Sequence, residues 1–323
     1  MTAENIFRLG TRGSALALAQ TNLVADAVRA KFPGMRVEVD VIHTAGDKDR
    51  VRSLVAFGGE GVFVKELEQA LLENRIDAAV HSLKDVPEEM DPRLGLAAFL
   101  PRESPFDVLV SGGKQLSELP QGSLVGTGSP RRVLQLRALR PDLKFTNLRG
   151  NLGSRIAKVE CGEFAATLLG AAGLNRLGLS DKISQVFSPA ELTPAIGQGI
   201  VAIQCRNSDG RATETVRAVG DVDTELAARM ERRWMKLLGG GCRVPMGALL
   251  EKTGERYMFQ AYLADPSTAA SERQKKQFSR AELEAGALDA FADEFIRTCR
   301  SRGIPLPSDV GSKDALLKFW GNL

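Results

Sequence analysis

A cysteine preceded by three glycines, Gly239-Gly240-Gly241-Cys242-Arg243-Val244-Pro245, is the clearest reactive group in the sequence. The glycines make continuation of a helix costly and leave the thiol in an open loop. Arg243 beside it favours the thiolate, the nucleophilic form. A cysteine that turned over substrate by acyl transfer would want a histidine base, and the chain has only His43 and His81. Both fall on segments that read as strands, where packing accounts for an imidazole. Anchoring a group therefore suits Cys242 better than turnover chemistry. The other three cysteines, Cys161, Cys205 and Cys299, form no CxxC pair, so the spacing supports neither a zinc site nor a disulfide framework.

The second constellation is cationic. Residues 123–158 hold Arg131, Arg132, Arg137, Arg140, Lys144, Arg149, Arg155 and Lys158 against a single acid, Asp142, a local excess of +7 in a chain of net charge +3. Ser129-Pro130-Arg131-Arg132 opens a helix, with Ser at the N-cap and Pro at the first helical position. Unpaired amides and the positive end of the dipole attract carboxylates there. Two arginines in that turn oppose the dipole unless an anion joins them. Arg12, beside the similar turn Gly10-Thr11-Arg12-Gly13-Ser14, and Arg149 and Arg155 extend the set. Solvated surface arginines are the alternative; bidentate carboxylate recognition is the use to which guanidinium is suited. Lys84-Asp85 follows a short buried strand, where open α/β sheets place ligands. Among so many cations Asp85 stays ionised and could stabilise a developing cation; a loop cap or an ion-pair partner is the other reading.

The elements that must position these groups alternate. A strand ends at Arg8–Thr11, and a helix at 14–32 shows Leu16, Leu23 and Ala27 on one face. A strand follows at 37–43, a helix at 62–74 and a strand at 78–81. The order recurs as a strand at 124–127, a helix from Pro130, a strand at 144–148, a helix at 152–161 and a strand at 165–169. Such alternation predicts mainly parallel sheets covered by helices. Matching turns at Gly10–Ser14 and Gly126–Ser129, and matching Ala-Ala strands after Glu73 and Glu160, suggest two similar lobes facing one another across a cleft. Beyond Val219 the pattern becomes a helix (223–238), strands near 246–251 and 256–264, and a long helix at 281–300, a third, α+β domain. Phe57–Gly61 fits neither a Walker nor a dinucleotide pattern and reads as a mobile flap. The 323 residues exceed what one core serves. A net charge of +3 is too small to argue for nucleic acid or membrane. No signal-peptide pattern or membrane-length apolar run is present, so a soluble, cytoplasmic protein is expected.

These segments together resemble the porphobilinogen deaminase family along nearly the whole chain. The runs that carry the resemblance are Leu9–Ser14, Gly61-Val62-Phe63-Val64-Lys65-Glu66, Ala79–Pro87, Gly126–Arg132, Leu148-Arg149-Gly150-Asn151, Gly173–Gly178, Gly197-Gln198-Gly199 and Gly240–Pro245, in order. The resemblance implies an α/β fold of two periplasmic-binding-protein-like lobes with mainly parallel sheets plus a smaller C-terminal α+β domain. The implied domains are 1–100 with 195–219, 101–194, and 220–323 bearing the cofactor cysteine. It implies a dipyrromethane held by a thioether to Cys242. Four porphobilinogen molecules would be deaminated and joined head to tail into hydroxymethylbilane, on the route to tetrapyrroles, porphyrins and haem. Asp85 matches the catalytic acid. Lys84, Thr127, Ser129, Arg131, Arg132 and Arg149 match cofactor-binding positions. Arg12, Ser14, Arg149, Arg155 and Arg176 match positions that face substrate. A monomer is implied, with no metal, nucleic-acid or membrane partner. Glu60, Ala56 and Gly128 depart from residues common in the family and bear on contacts near the cleft rather than on activity. A solute-binding protein of the same fold would need a signal peptide and no Cys242; a transcription regulator would need a helix-turn-helix, where residues 1–40 read as strand, turn and helix.

Overall fold

The computed structural model describes residues 6–42, 64–240, 245–309 and 319–320. The chain forms two compact units, Met1–Glu103 with Gly199–Ala228, and Ser104–Gln198 with Arg229–Leu323. In the first, β1 (Ile6–Thr11), β2 (Arg36–Val41), β3 (Ala78–Ser82), β4 (Leu94–Phe99) and β10 (Val201–Arg206) form a sheet in the order β2-β1-β3-β10-β4. β1 pairs in parallel with β2 and β3, whereas β10 runs antiparallel to β3 and β4. Helix α1 (Ala15–Lys31) buries Val24, Ala25 and Val28 against Phe7 and Leu9 on one face of the sheet. On the other face α2 (Lys65–Leu72) sets Leu67, Ala70 and Leu71 against Ile76 and Ala79. Covering both faces explains why β3 is apolar at consecutive positions instead of alternating.

The second unit repeats this plan. Strands β5 (Asp107–Val110), β6 (Leu124–Gly126), β7 (Lys144–Thr146), β8 (Ala166–Gly170) and β9 (Gln185–Val186) lie in the order β7-β6-β8-β5-β9, again with one strand, β5, antiparallel to its neighbours. Helices α3 (Pro130–Leu139), α4 (Leu152–Glu160) and α5 (Ala171–Arg176) accompany it. The odd strand of each sheet is distant in sequence from the strand it joins: β5 follows β4 directly, and β10 arrives only after β9. The turn glycines correspond too. A side chain at Gly10 would collide with Ile76, and one at Gly126 would lie 2.6 Å from Leu148, so a Cβ at either strand end would force the side chain packed over it to shift.

A small antiparallel sheet of β11 (Met246–Thr253), β12 (Arg256–Ala264) and β13 (Ser271–Phe278) completes the second unit, with α6 (Gly210–Arg217) belonging to the first. Trp234 of α7 (Val222–Leu237) meets Phe259, Phe291 and Phe295 at ring centroid distances of 5.0–5.4 Å. Tyr262 and Ala264 share a core with Val125, Leu134 and Phe145.

Three expectations need correction. The buried face of α1 is Gln20, Thr21, Val24, Ala25 and Val28, and Leu23 is 46% exposed, because the stripe against the sheet includes two polar residues with partners of their own. The long helix expected at 281–300 is two, α8 (Arg280–Glu284) and α9 (Ala287–Ser301), broken at Gly286, whose φ of 88° no continuing helix admits. Strand β13 is polar and charged, an edge strand that apolar periodicity misses. His43, the flap at Phe57–Gly61, and Ala56, Glu60 and Cys242 lie outside the described residues.

Candidate active site

The candidate residues of the first unit stand at two strand ends. Beyond β1, Ser14 caps α1, its Oγ accepting from the Ala17 amide at 3.3 Å. The first turn of α1 contains no acid, so its remaining amides and dipole stay available to an anion. Arg12, half-buried, sits between the buried Thr11 and this cap. Beyond β3, Leu83–Asp85 form one turn of 3-10 helix. The Leu83 amide donates to the Ile200 carbonyl at 3.0 Å and the Val86 amide to the Leu83 carbonyl at 3.1 Å. Leu83 and Val86 pack with Phe99, Ile200 and Ala202. Apolar anchors on both sides thus hold the turn while Lys84 is half-buried and Asp85 exposed. His81, on the strand just before, is buried and accounts for itself by packing: burial pushes its pKa down to about 4, against a hydrogen bond to the Gln204 amide oxygen and with help from the nearby Arg12 charge.

In the second unit the turn after β6 does the positioning. The Thr127 amide donates to the Thr146 carbonyl at 3.0 Å, and its hydroxyl accepts from the Ser129 amide at 3.3 Å. Ser129 caps α3, accepting from the Arg132 amide at 3.5 Å, with Pro130 in the first turn. Arg131 and Arg132 are 4% and 7% exposed. The anion that two cations in one helical turn require is internal: Asp107, at the start of β5 and wholly buried. Arg131 Nη1 reaches Asp107 Oδ2 at 2.7 Å and the Thr193 carbonyl at 2.6 Å. Arg132 donates from Nε and Nη2 to Asp107 Oδ1 at 3.0 and 2.7 Å, and from Nη1 to the Leu168 carbonyl at 2.9 Å. Gln198 Nε2 adds a bond to the same Oδ1 at 3.0 Å. Burial alone would raise the Asp107 pKa; the two guanidinium groups override it and hold the carboxyl well below its ordinary range.

One carboxylate between two guanidinium groups leaves one positive charge in excess at the positive end of α3. Among the described residues, Nε and Nη2 of Arg131 make no hydrogen bond. That donor set fits a group carrying carboxylates, as the dipyrromethane does with its acetate and propionate arms. Arg149 is exposed, with no hydrogen bond or ion pair among the described residues. Gly150 beside it adopts a φ of 117°. Asn151 caps α4, accepting from the Ser154 amide at 2.8 Å, and half-buried Arg155 donates from Nε to the Gly150 carbonyl at 2.8 Å. Arg176, half-buried, closes α5. Asp107 was not anticipated. Its one signal is an acid opening the apolar strand Asp107-Val108-Leu109-Val110, a place where a carboxylate must find buried partners.

A family model described as porphobilinogen deaminase, dipyrromethane cofactor binding domain, matches residues 7–214. A porphobilinogen deaminase of Nitrobacter hamburgensis is 44% identical over 285 residues, covering 87% of this chain and 90% of that protein. One of Acidothermus cellulolyticus is 40% identical and covers 96% of this chain and 97% of its own. Among solved structures, the methionine-binding protein MetQ aligns with a TM-score of 0.44 and 14% identity, covering 72% of this chain and 96% of its own.

Proposed function

The chain belongs to the porphobilinogen deaminase family, and we propose that it deaminates four porphobilinogen molecules and joins them head to tail, releasing hydroxymethylbilane for tetrapyrrole and haem biosynthesis. The observation that carries the binding side of this reading is the cationic excess of Arg131 and Arg132 over Asp107 at the start of α3. Each substrate brings an acetate and a propionate, and a growing chain of such units needs a matching set of guanidinium groups.

The dipyrromethane, held through a thioether by Cys242, supplies the ring to which the first substrate is joined. Arg131, Arg132, Ser129, Thr127 and Lys84 hold its carboxylates, with Arg149 serving both cofactor and substrate. Arg12, Ser14, Arg155 and Arg176 orient the incoming porphobilinogen. Loss of ammonia from the aminomethyl group leaves a carbocation delocalised into the pyrrole. Asp85, exposed at the tip of an anchored turn, stabilises that positive charge more than the neutral ring that precedes it. Attack by the free α-carbon of the preceding ring then forms the carbon–carbon bond, and the α-proton leaves. At the end the bond joining the finished chain to the anchored ring breaks; water supplies hydroxide to the chain's methylene carbon, and the ring carbon regains a proton, releasing the hydroxymethyl product. The same reading carries three domains, with Cys242 in the third. It also carries a cytoplasmic, monomeric enzyme with a small-molecule substrate and no nucleic-acid or membrane partner.

Intact-mass measurement of protein purified from cells tests this most directly. The protein should be heavier than its sequence by two linked pyrrole units, located on the peptide that contains Cys242, and should react with Ehrlich's reagent. An unmodified Cys242 in a fully active preparation overturns the reading.

A further inference from the structure

The buried Leu83 and Val86 anchor the turn that carries the exposed Asp85, and the strand that leads into that turn is itself held by side-chain hydrogen bonds on both faces. His81 and Ser82 are consecutive on β3 and therefore point to opposite faces of the sheet. On the α2 face, His81 Nε2 lies 3.1 Å from Gln204 Oε1, and Gln204 Nε2 donates to Glu68 Oε1 at 2.9 Å. On the α1 face, the Ser82 hydroxyl lies 2.8 Å from Gln20 Nε2 and 3.0 Å from Gln20 Oε1, accepting from the first and donating to the second. Gln20 and Gln204 are 4% and 0% exposed.

The direction of the first chain follows from its far end. A carboxylate only accepts, so the Gln204 amide nitrogen must face Glu68 and its oxygen must face the imidazole. His81 therefore carries its proton on Nε2. Burial that keeps the ring neutral preserves this arrangement at neutral pH. Two buried neutral amides thus grip the last two residues of β3, from both faces, three and four residues before Asp85. Neither amide adds charge beside the acid.

We propose that Gln204, with Gln20 on the opposite face, is a positioning residue for Asp85: it fixes the end of β3 so that the turn presents the carboxylate in one place. This rests on the reading of Asp85 as the acid that stabilises the reacting cation.

The test uses the cofactor-loaded enzyme and Gln204→Met, which keeps the volume and removes the hydrogen bonds. Turnover should fall about tenfold or more, as small misplacements of a catalytic group do, while KM changes less than about threefold and the loaded mass is retained. Combined with Asp85→Glu, which keeps the carboxylate and displaces it, the loss should be less than the product of the two single losses. A purely structural Gln204 gives the full product, and that result overturns the proposal. So does wild-type turnover of Gln204→Met. A second readout is independent of activity. With only two histidines in the chain, nitrogen-15 spectra should show His81 as the Nε2–H tautomer, lost in Gln204→Met; an Nδ1–H tautomer in the parent sinks the proposed chain. Asp85→Asn separates the two ideas: if it turns over normally, the reading of Asp85 fails, whereas an inactive Asp85→Asn beside a normal Gln204→Met sinks only the role of Gln204. Should Gln204→Met not fold, Gln20→Met, which uncovers no buried charge, carries the same comparison.

Discussion

The turn after β3 and the helix start after β6 both follow strands of two sheets built on the same plan, and they are secured by opposite means. Neutral amides hold the first, and neither adds a charge beside the exposed Asp85. A buried ion cluster holds the second, in which Asp107 joins Arg131 and Arg132 and leaves an excess of positive charge. The difference suits the ligands proposed for each. A cation in transit is best met by an acid whose field is not cancelled, whereas a permanent polyanion is best met by cations already fixed in place. Desolvating three charges is expensive, and only their close mutual bonds offset it. The amide pins avoid that expense.

The largest expected effect breaks the first region. Asp85→Asn is nearly isosteric and should leave a folded protein that binds porphobilinogen and turns over orders of magnitude more slowly, as loss of a central electrostatic group does. Steady-state kinetics with a thermal melt checks this; a near-normal rate moves the role elsewhere.

The next breaks the second region. Asp107→Asn leaves two guanidinium groups buried without their anion and should destabilise the fold by about 3–5 kcal/mol in urea unfolding. Arg132→Leu should also lower stability and hinder cofactor loading, leaving mostly apo-protein by mass. A fully loaded, stable Arg132→Leu would show that the cluster holds nothing.

Acid should separate the regions by pH. An unfolded histidine binds its proton near pH 6.5, whereas folded His81 does so only at about 4. Stability should therefore fall as pH drops through that window, by about 3 kcal/mol in all, and His81→Asn should abolish the slope. The Asp107 contribution behaves differently. Its folded pKa is depressed, so its stabilisation is intact above the ordinary carboxylate range and is lost only at lower pH. The amide-pinned region should thus weaken first on acidification, and a slope between pH 6.5 and 4 that survives His81→Asn would refute the assignment.

Smaller effects sharpen the picture. Ser14→Ala and Ser129→Ala each remove an N-cap and should cost about 1 kcal/mol. Arg176→Leu should leave the cofactor loaded and the melting temperature nearly unchanged, with partly extended chains accumulating as mass steps of one pyrrole unit. Apo-protein from Arg176→Leu, beside normal loading of Arg132→Leu, would reverse the division of labour among the arginines.

Much of this was written locally. Ser14, Ser129-Pro130 and Asn151 mark helix starts that form where their types require, because a cap is satisfied within three residues of itself. The glycine turns, the alternation of strands and helices and the ordered motifs likewise reside in short stretches, and together they carried the family resemblance. What the sequence alone left undecided came from distant chain. Asp107 reaches Arg131 from 24 residues away, and Gln204 reaches His81 from 123. Which face of α1 is buried depended on a sheet that includes β10, and the break at Gly286 on a backbone angle that a glycine permits without announcing. A buried polar side chain has no periodic signature; its partner is specified only when the fold closes and water can no longer serve in the partner's place.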